Sequence, residues 1–241
     1  GLGDVYKRQF QSFPGIRHSC VLLSIFLSFY HDSPRFATRA ARIFPSARAI
    51  LKKKDAEEEM DHIWYWFAYS FLGYCLEKLF AAATRSSHRL RRCFVFLPLC
   101  PVYGFAMVTI LLLGAEKLPG AWEQILLGMF AATAMEYAVH WGYERLFQVQ
   151  FWDYSSTKCD VNGRICLPFS ICWGILSMLA VRYVQPVLEG YAALLPEWAA
   201  ALAVFLVTLD GILTARVLLT THDIDALTPR TLLRSKRRRT A

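Results

Sequence analysis

Charge is what this sequence has least of. Asp, Glu, Lys and Arg make up 19% of its 241 residues, against roughly 25% in an ordinary soluble domain. The seven cysteines form no Cys-x-x-Cys pair and have no metal-like spacing, which argues against a zinc site or a disulfide framework. Cys75, Cys100 and Cys172 fall inside apolar stretches, where a thiol is a small hydrophobe. No Gly-rich phosphate loop ending in Lys-Ser/Thr is present, which excludes ATP hydrolysis by that route.

What fills the chain instead is apolar surface, at 55% hydrophobic residues. Between Ile63 and Thr220 it comes in runs of about 20 residues, long enough to cross a hydrocarbon core of roughly 30 Å at 1.5 Å per helical residue. The fold expected is all-α: a polytopic membrane helix bundle of about five transmembrane helices over 60–220, followed by a basic cytoplasmic tail, 221–241. The formal charge of +8 does not point to nucleic acid, because the basic residues cluster between the apolar runs and at the ends.

No methionine precedes Met60, and residues 1–59 differ from the rest. They carry ten Lys/Arg, and their apolar run, 20–30, is too short to span. Asp4-Val5-Tyr6-Lys7-Arg8-Gln9 resembles the translation of a sequencing adaptor, so 1–59 is expected to be non-native upstream translation, with Met60 the natural start. The alternative is a disordered basic cytoplasmic extension, or a surface helix over 37–54.

Spans are expected at 62–83, 93–114, 121–147, 165–184 and 197–219, the fourth stopped by Pro186. Arg85, Arg89, Arg91 and Arg92 fill the first loop, and Arg145, Lys158 and Arg164 serve the third. The second loop holds only Lys117, and the fourth none. With the basic tail, the positive-inside rule puts the N-terminus of the 60–241 portion outside and the C-terminus in the cytoplasm. Trp64, Trp66, Trp122 and Trp198 then mark outer ends.

Four acidic residues interrupt the apolar helices: Glu77, Glu136, Glu144 and Asp210. A carboxylate near the bilayer centre costs about 2.5 to 3.5 kcal/mol on insertion scales. Glu77, Glu136 and Asp210 lie at depths of roughly 18 to 22 Å from the outer helix ends. They are expected to line one cytoplasm-facing pocket as a substrate or proton pathway. The plainer reading pairs Glu77 with Lys78 or Arg85 and places Glu144 among the headgroups beside Arg145, leaving Glu136 and Asp210 in interhelical hydrogen bonds. Glu136, His140 and Glu144 recur every fourth residue, a spacing open to a proton relay, a metal or a structural histidine. Ala131, Ala134, Ala138 and Gly142 offer a small-residue packing surface.

Pro98 and Pro101 cannot both sit inside one uninterrupted helix, so the second helix is expected to begin near Pro101. Residues 94–100 then enter the inner leaflet as extended, possible re-entrant chain, or the helix simply starts at the interface. A helix start within the membrane presents free N–H groups that can hold an anionic group. In the third loop, Asn162-Gly163 reads as a tight turn, with Arg164 facing lipid phosphate or an acidic side chain. The pocket rim is expected to comprise Pro101, Tyr103, Glu144, Trp152, Asp153, Asn162 and Arg164.

Glu77, Pro101-Val102-Tyr103-Gly104-Phe105, Glu136-Tyr137, Glu144, Phe151-Trp152-Asp153-Tyr154-Ser155, Asn162-Gly163-Arg164-Ile165-Cys166-Leu167, Trp173-Gly174 and Asp210 occur in order. Together they resemble the CmpB-like ABC transporter permeases of bacterial membranes, over about 60–219. Pro168 after Leu167 is a small departure. The resemblance implies a multi-pass permease subunit of the bacterial inner membrane, moving an unknown substrate with a separate ATP-binding subunit. Five helices add a homodimer as a further possibility, and no catalytic residue, cofactor or metal is expected. A membrane-embedded enzyme acting on a lipid through the carboxylates and His140, and a non-catalytic scaffold or sensor, are the alternatives.

Overall fold

The computed structural model describes residues 45–84, 92–157, 159–192 and 194–227. The chain divides into two units, 1–59 and 60–241, and the fold described here is that of the second. The adaptor-like string and the basic tail beyond 227 lie outside the described residues, as do Arg85, Arg89, Arg91 and Lys158.

Five helices are present: α1 Pro45–Ala83, α2 Pro101–Leu112, α3 Ala121–Phe147, α4 Leu167–Ala192 and α5 Glu197–Thr221. A hairpin of β1 Asp160–Val161 and β2 Ile165–Cys166 joins α3 to α4. Its turn is the expected Asn-Gly: Asn162 and Gly163 have φ of 54° and 67°, and Arg164 N–H closes on Val161 O at 3.1 Å. Two successive left-handed residues are what a tight two-residue reversal needs, and asparagine and glycine adopt them at least cost.

Pro101 is the first residue of α2, as its missing donor requires, with Cys100 extended before it. The preceding 93–100 is not helical. Pro186 does not end α4, contrary to the sequence reading. A π-helical turn at Ala180–Val184 precedes it, shifting the hydrogen-bond register where proline's absent N–H would break the α-helical ladder. The helix then runs on to Ala192.

Glycines set the closest helix contacts. A methyl at Gly73 of α1 would strike the Tyr103 ring of α2, and one at Gly104 would strike Ser70 and the Trp66 carbonyl. Between α3 and α4, Gly128 lies against Ser177 and Gly174 against the Ile125 carbonyl. The expected stripe only partly packs. Ala131 meets the buried cluster of Tyr65, Tyr69, Met107, Ile110 and Val181, but Ala134 and Ala138 are exposed and Gly142 has open space around it. The face toward α4 is therefore rotated from the one the alanines mark.

Two helices, α4 and α5, are long and apolar enough to cross a membrane, with mean hydropathies of 1.5 and 2.0. They are not buried core helices, because only 22% of each apolar window is buried. On α5, Leu202, Phe205, Leu206, Leu209 and Ile212 are between 45% and 62% exposed. Such a surface is costly against water and at home against acyl chains. The other three helices do not meet that measure, and for two of them the reason is plain. The 12 residues of α2 are fewer than a crossing needs, and α3, although 27 residues long, carries Glu123, Glu136, Glu144 and Arg145.

Candidate functional site: a carboxylate and aromatic cluster

Glu136 projects from the middle of α3 and is 6% exposed. Its Oε1 accepts the Tyr154 hydroxyl at 3.1 Å and its Oε2 accepts the Trp173 indole N–H at 3.0 Å. Both donors are neutral, so the carboxylate is hydrogen-bonded at each oxygen by an uncharged group. Tyr154 comes from the loop after α3 and Trp173 from α4, so Glu136 ties three parts of the chain together. Burial, followed by the adjacent Glu136 carboxylate, pushes the Tyr154 hydroxyl well above its ordinary range and keeps it a donor.

Glu77 of α1 accepts the Tyr103 hydroxyl at 2.7 Å. It does not depend on Lys78 for this; that ammonium lies over the Tyr74 ring, 4.9 Å from its centroid. The Tyr103 ring meets the Trp173 ring edge-on at 5.4 Å. A continuous path thus runs from Glu77 through Tyr103 and Trp173 to Glu136. Phe169 closes the aromatic side, stacked on Tyr154 at 5.0 Å.

Asp210 is differently engaged. It is 3% exposed, and its oxygens accept the backbone N–H groups of Val95, Phe96 and Leu97 at 3.2, 3.0 and 2.7 Å. Thr214, one turn on, receives Val95 N–H as well, at 3.3 Å. Non-helical chain inside a helical bundle leaves orphan donors. Here the last helix supplies their acceptor. Cys100 N–H is satisfied from the other side by the Ser70 carbonyl at 2.9 Å, which fixes Pro101 and the start of α2 against α1.

The remaining rim residues form a second, more polar group. Arg164 Nη2 and Nε approach Glu144 Oε2 at 2.6 and 3.1 Å, and Nη1 donates to the Tyr137 hydroxyl at 2.8 Å. Its guanidinium also lies 5.1 Å from the Tyr137 ring centroid. Asn162 donates to the same hydroxyl at 3.4 Å. The Glu144 hydrogen bond raises the Arg164 pKa further above its already high ordinary value. Of the two partners foreseen for Arg164, the acidic side chain is the one it contacts.

His140 is 3% exposed. Its Nε2 lies 2.9 Å from the Trp152 carbonyl, which can only accept, so Nε2 carries the proton. Nδ1 has no hydrogen-bond partner among the described residues. Trp152 returns along the hairpin, its indole N–H donating to Arg164 O at 2.8 Å. Asp153 accepts the Ser155 backbone N–H at 2.9 Å and its hydroxyl at 3.0 Å, and these bonds lower its pKa. The third loop is therefore docked on α3 by Trp152, Tyr154 and Arg164. Although four residues apart on one helix, Glu136, His140 and Glu144 have three separate sets of partners.

Tyr154, Trp173 and Tyr137 escaped the expected site. Their signal was weak but present: Tyr154 and Trp173 are aromatic donors in or beside an apolar helix, where an unpaired O–H or N–H needs an acceptor, and Tyr137 offers a hydroxyl oxygen to the Arg164 and Asn162 donors.

Fold and site together define a helical, membrane-associated protein in which a buried carboxylate, Glu136, and a half-buried one, Glu77, are linked through aromatic side chains. Residues 64–218 match the family profile ABC_trans_CmpB, described as "Putative ABC-transporter type IV". The chain belongs to that family. Searches of curated proteins and of solved structures each returned no match.

Proposed function

We propose that this chain is a membrane-embedded permease subunit that works with a separate ATP-binding subunit in the bacterial inner membrane. Its five helices are read as a multi-pass bundle, α2 completing its crossing through 93–100, with the C-terminus in the cytoplasm. The observation that carries the reading is Glu136, a buried carboxylate held by two neutral donors within a chain of this transporter family. An acidic group in such a setting is expensive to retain and is a marker of a substrate or ion pathway.

In this reading Glu77 and Glu136 are the working carboxylates, joined through Tyr103 and Trp173. The Tyr154 loop covers Glu136 from the cytoplasmic side. Arg164, Glu144, Asn162 and Trp152 hold that loop in position, and Asp210 shapes the start of α2. His140, one turn from Glu136, holds the Trp152 end of the same loop.

Inverted membrane vesicles containing the chain and its ATP-binding partner provide the test. Untargeted mass spectrometry should find solutes whose vesicle content depends on added ATP. Glu136→Gln keeps both hydrogen-bonding positions near their present geometry while removing the charge. It should abolish the ATP-dependent change at near-normal expression. Unchanged solute profiles would remove Glu136 from the pathway.

A further inference from the structure

Cys93 and Cys100 bracket the non-helical segment that leads into α2, and their sulfurs lie 3.4 Å apart. Spacing in sequence gave no reason to pair them. The pairing arises because 93–100 folds back on itself, clamped from two sides. Asp210 and Thr214 of α5 hold the N–H groups of 95–97, and Ser70 of α1 holds that of Cys100. Cys93 is partly accessible whereas Cys100 is buried, an arrangement with one thiol open to a reagent and a second waiting beside it.

We propose that Cys93 and Cys100 are a redox-modification site, a dithiol that closes reversibly to a disulfide and locks the start of α2. The inference stands on this geometry and does not depend on the permease reading. The oxidant is a hydroperoxide. The Cys93 thiol gives up its proton, the thiolate attacks the outer peroxide oxygen, the O–O bond breaks, and the alkoxide or hydroxide takes that proton and leaves as alcohol or water, giving Cys93 sulfenic acid. Cys100 sulfur then attacks the Cys93 sulfur, the S–OH bond breaks, and water departs with the Cys100 proton. Two thiols lose two electrons and the peroxide gains them. A small dithiol reverses the step by exchange, itself becoming the disulfide. Closure ties together the two ends of the segment whose last residue caps the helix carrying Tyr103, the Glu77 partner.

The test uses the full chain in mild detergent, with hydrogen peroxide as oxidant. Trypsin cuts after Arg92 and Lys117, leaving both cysteines and no others in the peptide 93–117. After oxidation and alkylation under denaturing conditions, that peptide should be lighter by two hydrogens and carry no alkyl group. Dithiothreitol should restore two alkylated thiols, and Cys93→Ala and Cys100→Ala should each abolish the change. Asp210→Asn, which weakens the clamp, should slow closure by about tenfold, the loss expected when two reacting groups are no longer held in register. Full alkylation of both cysteines after peroxide would overturn the assignment. So would Cys93 over-oxidised beside an intact Cys100 thiol, or either cysteine joined to a different partner. Closure at an unchanged rate in Asp210→Asn would overturn the role given to the clamp.

Discussion

Asp210 accepts the Leu97 backbone N–H at 2.7 Å, across 113 residues of sequence. That contact converts an acidic residue in an apolar, membrane-length helix from an isolated cost into the acceptor for a strand of otherwise orphaned donors. Asp210→Ala should therefore destabilise the protein by about 2–5 kcal/mol, because the N–H groups of Phe96 and Leu97 lose the acceptor they have among the described residues. Asp210→Asn keeps one carbonyl oxygen and should cost less. Thermal unfolding of the purified chain, followed by fluorescence-detected size exclusion, would rank the two variants against wild type. Equal midpoints for all three would deny Asp210 this role.

Gly128 and Gly142 lie on the same helix and should respond in opposite ways. A methyl at Gly128 would overlap Ser177 of α4, and forcing the helices apart costs about 1–3 kcal/mol. At Gly142 nothing lies within 4 Å of the added methyl, so Gly142→Ala should be neutral or stabilising by up to about 1 kcal/mol through helix propensity. Midpoints measured for the two variants side by side distinguish this packing from the small-residue stripe the alanine spacing implied.

Asp153 gives the third loop a pH dependence whose sign follows from its partners. The Ser155 N–H and hydroxyl favour the ionised form, so its pKa in the folded chain is depressed. A depressed carboxylate contributes stability that is fully present above the unfolded value of about 3.9 and lost as pH falls through the lower folded value. The Ser155 amide should be protected from hydrogen exchange at neutral pH, and Asp153→Asn should reduce that protection at once. Protection unchanged in the variant would show that the loop is held without Asp153.

Much of this architecture was legible in the sequence because it rests on local chemistry. Pro101 opens a helix because proline lacks only a donor that the first turn never uses. Asn162-Gly163 turns because both residues accept a left-handed backbone. The apolar runs fixed the existence of α3, α4 and α5. Where reading failed, a local shift of helical register or a neighbour distant in sequence decided the outcome. Pro186 was expected to stop a helix, but the π-helical turn before it absorbs the defect. Gly142 fits a packing stripe by spacing, yet the phase of α3 against α4 is set at Gly128. The acidic residues were recognisable as anomalies, but their partners were not. Trp173 reaches Glu136 across 37 residues and Tyr103 reaches Glu77 across 26, separations that carry no periodic signal.

The central claim, a permease subunit dependent on another chain for ATP hydrolysis, is tested most directly by purifying the protein from gently solubilised native membranes. Mass spectrometry should then quantify whatever accompanies it. An ATP-binding subunit should be recovered in fixed stoichiometry, and retained in Glu136→Gln because that residue serves the pathway and not the assembly. Recovery of this chain without any ATP-binding protein, under conditions that preserve other transporter complexes from the same membranes, would contradict it.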